Sequence, residues 1–257
     1  GSLMTDIAIE KAGHVAIVEI RRPENNYFDE RLIREIAGAY EELDRDAAVR
    51  CAVLCSQGKN FCAGANFVEP SARGDLATGA AALYRTALRL FRTATPTVAA
   101  LQGATIGGGL GLALTADFRV ADANSRFSAN FNRLGIHPGF GLTETLPALV
   151  GMQQATRLFF TGRRIAGEEA LRMGLGDALA EVGDIRAAAM QLAEDIALSA
   201  PVAVTSTRQT LRCDLADRIA GAVEREAAQQ AVHFAMRDFR EGVQAATERR
   251  HPVFTGE

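Results

Sequence analysis

The sequence predicts an α/β core followed by a helical C-terminal region. Short β-rich apolar runs alternate with segments of helical periodicity up to about residue 182. From about residue 184 onward, nearly every window has helical spacing. The chain has 257 residues, 48% of them hydrophobic, which suffices for one large core or a core with an appendage. An alternation of strands and helices is typical of the α/β class.

Local signals predict the elements of the first part of the chain. Two β-rich runs flank Gly13 and His14, which is typical of a hairpin. Asp29 is placed as the N-cap of a segment whose apolar residues recur at helical spacing. The elements expected before the glycine-rich stretch are a hairpin at 7–23, a helix at 29–46, a buried strand at 49–56, a helix at 79–94 and a strand at 97–103.

The second part of the chain is expected to add shorter strands and then helices. Pro201 is expected in the first turn of a C-terminal helix, where its missing N–H is tolerated. No sequence repeat and no low-complexity linker is evident. The expected elements are two short strands within 117–129, helical segments at 142–160, a short helix at 167–174, a last strand at 175–182 and helices from 184 onward.

Composition and charge exclude several classes of function. The net charge of −3 argues against a nucleic-acid partner. No apolar run approaches the roughly 20 residues that span a bilayer. The start of the chain resembles a cloning remnant ahead of a native Met4, with no signal peptide after it. Four cysteines without a CxxC pair and four scattered histidines predict a reducing, cytoplasmic protein with no metal site.

The stretch ATIGGGLGLAL at 104–114 places four glycines within five positions at the expected start of a helix. Each glycine costs about 1 kcal/mol relative to alanine inside a helix. One interpretation is that a ligand oxygen must reach the free backbone N–H groups of a helix N-terminus. The other is tight packing of strand against helix. A dinucleotide fingerprint is disfavoured, because the GxGxxG spacing is not matched.

A second small-residue loop, KNFCAGANF at 59–67, also follows a predicted strand. It can present the backbone N–H of Ala65. Two such loops can aim two N–H donors at one point, which is the arrangement of an oxyanion hole.

These two loops, in this order, resemble the crotonase superfamily, the enoyl-CoA hydratase/isomerase family. The similarity covers about residues 5–254. The segments that carry it are FCAGAN at 61–66, ALQGATIGGGLGLALTADFRVA at 100–121, FSANFNRLGIHPGFGLTETLPALVG at 127–151, FTGRRIAGEEALRMGLGDALAEV at 160–182 and FAMRDFREGVQAATERRHPVF at 234–254.

The resemblance implies a spiral of ββα units at 4–199 and a helical region at 200–257 that builds trimers, often paired into hexamers. The ligand would be a coenzyme A thioester, with no resident cofactor. The backbone amides of Ala65 and Gly108 would form the oxyanion hole. The resemblance also places six residues near CoA: Arg22, Asn25, Cys62, Ala63, Asn66 and Arg250.

The chain departs from the family where family members carry carboxylates. Gly111 and Phe131 match the two glutamates of the hydratases, and Gly139 matches a carboxylate of the isomerases and dehalogenases. Asn66 replaces a common aspartate. Ordinary hydration, which needs a carboxylate to activate water, is therefore not expected.

Two other titratable residues are candidates for the base. His137 has a side chain suited to proton transfer near neutral pH, although it could be a loop histidine. Glu144 could act as the base or serve only as a partner of a helix dipole. Tyr84 is expected to pack in the core with its hydroxyl at the surface. Asn130 and Asn132 are expected to point away from an inward Phe131.

Two main hypotheses of function remain. The first is an enzyme of the hydratase/isomerase type that stabilises a thioester enolate, with isomerisation, decarboxylation or thioester hydrolysis as possible reactions. The alternative is a non-catalytic acyl-CoA-binding protein or an accessory subunit on the same scaffold. The backbone donors do not discriminate between them, because both would hold a thioester carbonyl.

Overall fold

The computed structural model describes residues 5–68 and 75–257. The expectations about the start of the chain therefore lie outside the described residues. The strands are β1 Ile7–Ala12, β2 Val15–Ile20, β3 Cys51–Ser56, β4 Thr97–Ala100, β5 Ala104–Ile106, β6 Phe118–Ala121, β7 Arg126–Ser128, β8 Ile165–Ala166 and β9 Ala178–Leu179. The helices are α1 Glu30–Asp44, α2 Leu76–Phe91, α3 Gly108–Ala113, α4 Leu142–Val150, α5 Met152–Thr161, α6 Gly167–Met173, α7 Ile185–Ala197, α8 Pro201–Leu211, α9 Leu215–Phe234 and α10 Arg237–Glu248.

Two sheets share the strands. The larger has the order β1-β2-β3-β4-β6-β9 and is parallel except for the β1–β2 hairpin. The smaller has the order β5-β7-β8, with β5 and β7 parallel. Along the chain, β4 and then β6 enter the large sheet, and each is followed by a strand of the small sheet and a helix. This is a repeated ββα unit wound as a spiral.

The same unit begins one turn earlier, although its second strand is reduced to one residue. After β3, Cys62 forms an isolated parallel bridge with Thr105 of β5, and α2 follows. The repeat is therefore structural and leaves no periodic sequence, which explains why none is evident.

Local signals account for the helices that were predicted best. The Asp29 side chain accepts a hydrogen bond from the backbone N–H of Leu32 and caps α1. Pro201 occupies the first turn of α8, as predicted. The hairpin, the buried strand β3 and the helical C-terminal region are also confirmed.

Other boundaries were wrong. The helix expected at 79–94 lies at 76–91, because Asp75 caps it by accepting from the backbone N–H of Thr78. Strands β5 and β8 were missed, since three and two residues carry no readable period. The last strand, expected over eight residues, has only two.

Helix α9 is anchored to the core by buried polar contacts. Glu226, which is 0% exposed, accepts hydrogen bonds from the backbone N–H groups of Gly141 (2.8 Å) and Thr143 (3.1 Å) and from the Thr143 hydroxyl (2.5 Å). It thereby caps the start of α4, whose own N-cap residue is a glycine without a side chain. Burial raises the pKa of Glu226 above its ordinary value, more than these hydrogen bonds lower it.

The cysteines pack as core residues or lie free at the surface. Cys51, Cys55 and Cys62 are buried and Cys213 is exposed, all without disulfides. Burial raises the pKa of the Cys51 thiol to about 12 and that of Cys55 to about 11. Within residues 5–68 and 75–257, no cluster of three potential metal ligands occurs.

The described helices were also compared with the dimensions of a membrane span. None of them alone is long and apolar enough to cross a bilayer. Helices α7 and α8 meet that requirement only as a pair, which is bent by 104°.

The Glu226 contacts give a stability prediction. Glu226→Gln replaces an acceptor oxygen by an NH₂ group that faces N–H and O–H donors, so buried donors lose their partner. We expect the variant to lose about 1–3 kcal/mol of unfolding free energy in urea denaturation.

The matched control for this prediction is Glu224→Gln, on the same helix. Glu224 is exposed, and among residues 5–68 and 75–257 its one ion pair is with Arg85. This variant is therefore expected to unfold at the wild-type urea concentration. Equal effects of the two substitutions would contradict the capping role of Glu226.

Candidate active site

Backbone pairing brings the two small-residue loops together. The Cys62 N–H donates to the carbonyl of Ala104 (3.2 Å), and the Ile106 N–H donates to the carbonyl of Cys62 (3.1 Å). The two segments of the chain therefore run in the same direction and leave the small sheet side by side. A methyl group on Gly64 would lie 3.2 Å from the backbone nitrogen of Gly108, so the loops are in direct contact beyond the pairing.

In the part of the chain that the structure describes, both loops carry backbone N–H groups without a hydrogen-bond acceptor. Among residues 5–68 and 75–257, no hydrogen-bond acceptor is found for the N–H of Ala65 or of Gly108. Ala65 is partly buried and Gly108 is buried. Unpaired buried N–H groups are uncommon in folded proteins. These two are therefore donors that a bound oxygen can satisfy.

The glycines of the run serve different purposes. Gly107 has a φ of +60°, which side chains rarely adopt. A methyl group on Gly109 would lie 2.1 Å from the Cys62 carbonyl oxygen, and one on Gly108 would lie 2.4 Å from the Phe28 ring. Tight packing thus accounts for Gly108 and Gly109, while Gly108 also carries a free donor. The packing interpretation of the run is confirmed, and access of a ligand oxygen stays a prediction. Helix α3, with six residues, adds only a short helix dipole.

A cleft of about 570 Å³ opens beside the Ala65 loop. Its lining is largely aromatic and aliphatic, with charged side chains from the start of α1 and α2. The lining residues are Arg22, Tyr27, Phe28, Asp29, Glu30, Ala65, Asn66, Phe67, Asp75, Leu76, Gly79, Ala80, Leu83, Tyr84 and Phe234. An elongated ligand with an apolar part and a polar part suits such a lining.

Four of the predicted CoA residues lie at or beside this cleft. Arg22 and Asn66 line it, and the Ala63 N–H donates to the carbonyl of Asn25, which ties the loop after β2 to the Ala65 loop. The Arg22 guanidinium bonds to Asp6 and lies 3.1 Å from Asp29. It is therefore a partly neutralised cation at the edge of the cleft.

Two other predicted CoA residues are engaged elsewhere. Cys62 is 0% exposed, and its N–H and carbonyl are both used in the small sheet. Arg250 follows α10 and pairs with Glu241 and Glu248, which raise its pKa. It is not among the residues that line the cleft.

Aromatic and amide groups occupy the space beside Gly111 and Gly139, the two glycines expected from the resemblance at carboxylate positions. A methyl group on Gly111 would lie 2.5 Å from Cβ of Phe140. A methyl group on Gly139 would lie 2.0 Å from the Tyr84 hydroxyl and 2.7 Å from Nε2 of Gln230. Neither position has room for a larger side chain in this structure.

Tyr84 and Asn130 do not lie as expected. The Tyr84 hydroxyl is not at the surface; it donates to Oε1 of Gln230 (2.8 Å) deep in the core, and burial raises the Tyr84 pKa. Asn130 does not point away from the glycine run, since its Oδ1 lies 3.3 Å from a methyl position on Gly107. The reason is that β7 ends at Ser128, so the pleat of a strand does not extend to residue 130.

Phe131 behaves as expected for an inward aromatic. It is 5% exposed, in the hydrophobic core. Asn132 is turned to its own loop, donating to the carbonyl of Ile136. Position 131 therefore carries a core residue.

The two candidate bases are held by other groups. The backbone N–H of His137 donates to Nδ1 of His233 (2.9 Å), and Nδ1 of the His137 ring contacts the carbonyl oxygen of Pro138. Glu144, in the first turn of α4, forms an ion pair with Arg218 (2.8 Å). Neither residue lines the cleft.

The cleft contains three carboxylates that the sequence analysis did not name as site residues. Asp29 caps α1, and although burial raises its pKa, the Leu32 N–H and Arg22 hold that pKa below its ordinary value. Asp75 caps α2, and the Thr78 hydroxyl and N–H lower its pKa. Glu30 accepts from the hydroxyl of Thr86 and pairs with Arg34. For Asp29 and Asp75 the capping position was the available signal, and all three carboxylates are already engaged.

Comparison with known proteins places the chain in a family. Residues 10–257 match the family described as enoyl-CoA hydratase/isomerase. The chain is 34% identical over 220 residues to the short-chain-enoyl-CoA hydratase of Clostridium acetobutylicum, covering 82% of this chain and 84% of the relative. It is 32% identical to the crotonyl-CoA hydratase of Syntrophomonas wolfei, covering 97% of each chain.

The structure agrees with the sequence comparison. A solved enoyl-CoA hydratase/isomerase from Pseudoalteromonas atlantica superimposes with a TM-score of 0.85 at 28% identity, over 98% of this chain and 100% of that one. The predicted crotonase-type α/β fold is thereby confirmed. The chain belongs to the enoyl-CoA hydratase/isomerase family.

Proposed function

We propose that the cleft binds an acyl-CoA thioester with its carbonyl oxygen between the backbone N–H groups of Ala65 and Gly108. The observation that carries this proposal is the pair of unpartnered donors on loops that touch each other beside the cleft. Relatives named as hydratases of short-chain enoyl-CoA and crotonyl-CoA support the class of ligand. No permanently bound cofactor is part of the proposal.

Two such donors stabilise negative charge on the thioester oxygen. When an electron pair moves onto the α-carbon and into the carbonyl, the oxygen becomes an enolate, and its hydrogen bonds strengthen. Removing one donor of this kind from an oxyanion hole costs about 3 kcal/mol of barrier. The proposed activity is therefore enolate chemistry on an acyl-CoA.

The polar edge of the cleft suits the CoA part of the ligand. We assign its phosphates or pantetheine to Arg22 and Asn25, and the region near adenine to Ala63 and Asn66. Cys62 contributes by fixing the loop. Both Arg22 and Arg250 pair with carboxylates, but only Arg22 lines the cleft, so the assignment favours Arg22 as the principal cation.

Ordinary hydration is not proposed, because Gly111 and Phe131 supply no carboxylate and the cleft carboxylates are engaged. His137 and Glu144 are the base candidates only if the neighbouring loops rearrange. Reactions without paired glutamates fit better. In decarboxylation, for example, a thioester with a carboxylate on its α-carbon loses CO₂, and the electron pair of the broken C–C bond passes into the enolate. The α-carbon then takes a proton from water, which leaves hydroxide.

The alternative is an acyl-CoA-binding protein or accessory subunit without turnover. The packing of Phe140 against Gly111 and of Tyr84 against Gly139 favours it, since apolar and amide groups occupy the carboxylate positions. Product analysis by mass, with 2-enoyl and 3-enoyl thioesters, separates the two: bound but unchanged ligand across the panel supports the alternative.

We further propose a homotrimer, or a dimer of trimers, in the cytoplasm. A second groove of about 620 Å³ runs between α8, α4 and the end of α3. Arg208 and Arg212 line it, and each has a buried guanidinium nitrogen with no partner among the described residues. Leu211, at 80% exposure, lies beside them. A second copy of the chain covering this groove would bury the leucine and could supply acceptors. The free cysteines support the cytoplasmic location, because thiols stay reduced in that compartment.

The assembly proposal predicts the mass in solution. Light scattering on the purified chain is expected to give three or six chains per particle, and Leu211→Glu is expected to shift particles toward monomers by placing a charge in the contact. A wild-type monomer at micromolar concentration would contradict it.

The donor pair predicts the effect of removing one N–H. Ala65→Pro deletes the donor, so affinity for butyryl-CoA is expected to fall about tenfold or more by calorimetry. Affinity for free CoA, which has no carbonyl at this point, is expected to change little.

The matched control is Ala65→Gly, which keeps the N–H and should bind butyryl-CoA like the wild type. Circular dichroism checks that each variant is folded. A folded Ala65→Pro variant with wild-type affinity for the thioester would remove Ala65 from the site.

A further inference from the structure

Phe140 adopts a backbone conformation that is unusual for a bulky residue. Its φ is +58°, between Gly139 and Gly141, whose φ is +76°. A large side chain in this region is strained by contact of its Cβ with the backbone, and such strain persists only where surrounding contacts hold it. Here the Glu226 carboxylate holds the turn by accepting from the Gly141 N–H (2.8 Å).

This conformation aims the Phe140 side chain at Gly111. A methyl group on Gly111 would lie 2.5 Å from Cβ and 2.7 Å from Cγ of Phe140, so a side chain at position 111 and this phenylalanine exclude each other. Phe140 is 1% exposed. Its ring is therefore a fixed part of the packed interior, which deforms only at a cost.

The ring supports the inner wall of the cleft. Its centroid lies 5.5 Å from that of Phe28 and 6.3 Å from that of Tyr84, and both of these residues line the cleft. Phe28 in turn lies against Gly108, since a methyl group there would be 2.4 Å from its ring. The aromatic wall thus begins immediately beside the free Gly108 N–H.

We propose that Phe140 is the specificity-determining residue that restricts the ligand to short acyl groups. This inference rests on the proposed function. An acyl group whose carbonyl oxygen is held at Gly108 extends towards Phe28 and Tyr84, and Phe140 behind them prevents either ring from moving back. Phe140 acts through these two rings, and Gly111 is the glycine that makes room for it.

The test is the acyl-length dependence of binding. Calorimetric titrations use free CoA, acetyl-CoA, butyryl-CoA and octanoyl-CoA with the wild type, Phe140→Ala and Phe140→Leu. The wild type is expected to bind butyryl-CoA about tenfold or more tighter than octanoyl-CoA. Phe140→Ala is expected to bind octanoyl-CoA more tightly than the wild type does, so that the affinities for the two ligands differ by no more than about threefold. The preference of Phe140→Leu is expected to lie between those of the wild type and Phe140→Ala.

Phe159→Ala is the matched control, because it also truncates a buried phenylalanine but on α5, away from the cleft lining. It is expected to keep the wild-type preference, so a general loosening of the core would show in both alanine variants. If Phe140→Ala fails to fold, Phe140→Leu carries the test.

Two results would overturn the inference in distinguishable ways. If the thioesters bind no better than free CoA, both the proposed function and the role of Phe140 are wrong. Thioesters that bind well but with no preference for short chains, or a preference unchanged in a folded Phe140 variant, would remove only the role of Phe140.

Discussion

The parallel pairing of Cys62 with β5 is the constraint on which the candidate site depends. Two backbone hydrogen bonds, from Cys62 to Ala104 and from Ile106 to Cys62, fix where the two loops leave the small sheet. Because parallel strands end at the same edge, the residues that follow them emerge side by side. Ala65 and Gly108 gain their proximity from this backbone geometry, and their side chains contribute only by being small. The site is thus built from main-chain groups, whose positions the sheet determines.

Aromatic and amide groups fill the space beside Gly111 and Gly139. Phe140 packs on Gly111, and the Tyr84–Gln230 pair packs on Gly139. At each of these glycines, a neighbouring group occupies the space that a side chain would need. In the proposed function, proton transfer on a bound thioester would therefore come from water or from the substrate itself. Helix α9 belongs to this arrangement, because Glu226 holds the turn that carries Phe140 and Gln230 holds Tyr84.

Sequence reasoning succeeded where local chemistry decides structure. Gly13 marks the hairpin and Asp29 marks the start of α1, and both signals act over a few residues. The motifs around Ala65 and Gly108 identified the family, which the comparisons confirm. In contrast, β5 was missed because its three residues are held by pairing with β7 rather than by their own pattern. The place of Phe140 was equally unreadable, since it depends on a carboxylate 85 residues away from Gly141. The surroundings of Arg250 could not be predicted either, because its ion pairs with Glu241 and Glu248 depend on where α10 ends and how the chain turns after it.

The most direct measurement of the central claim is the infrared spectrum of the thioester carbonyl. Butyryl-CoA labelled with carbon-13 at the carbonyl isolates this band from those of the protein. If the N–H groups of Ala65 and Gly108 both hold the oxygen, the C=O bond is polarised and its stretch moves to lower frequency on binding. A bound ligand whose carbonyl stretch stays at its frequency in water, or moves higher, would contradict the account, because the oxygen would then have exchanged water for weaker partners.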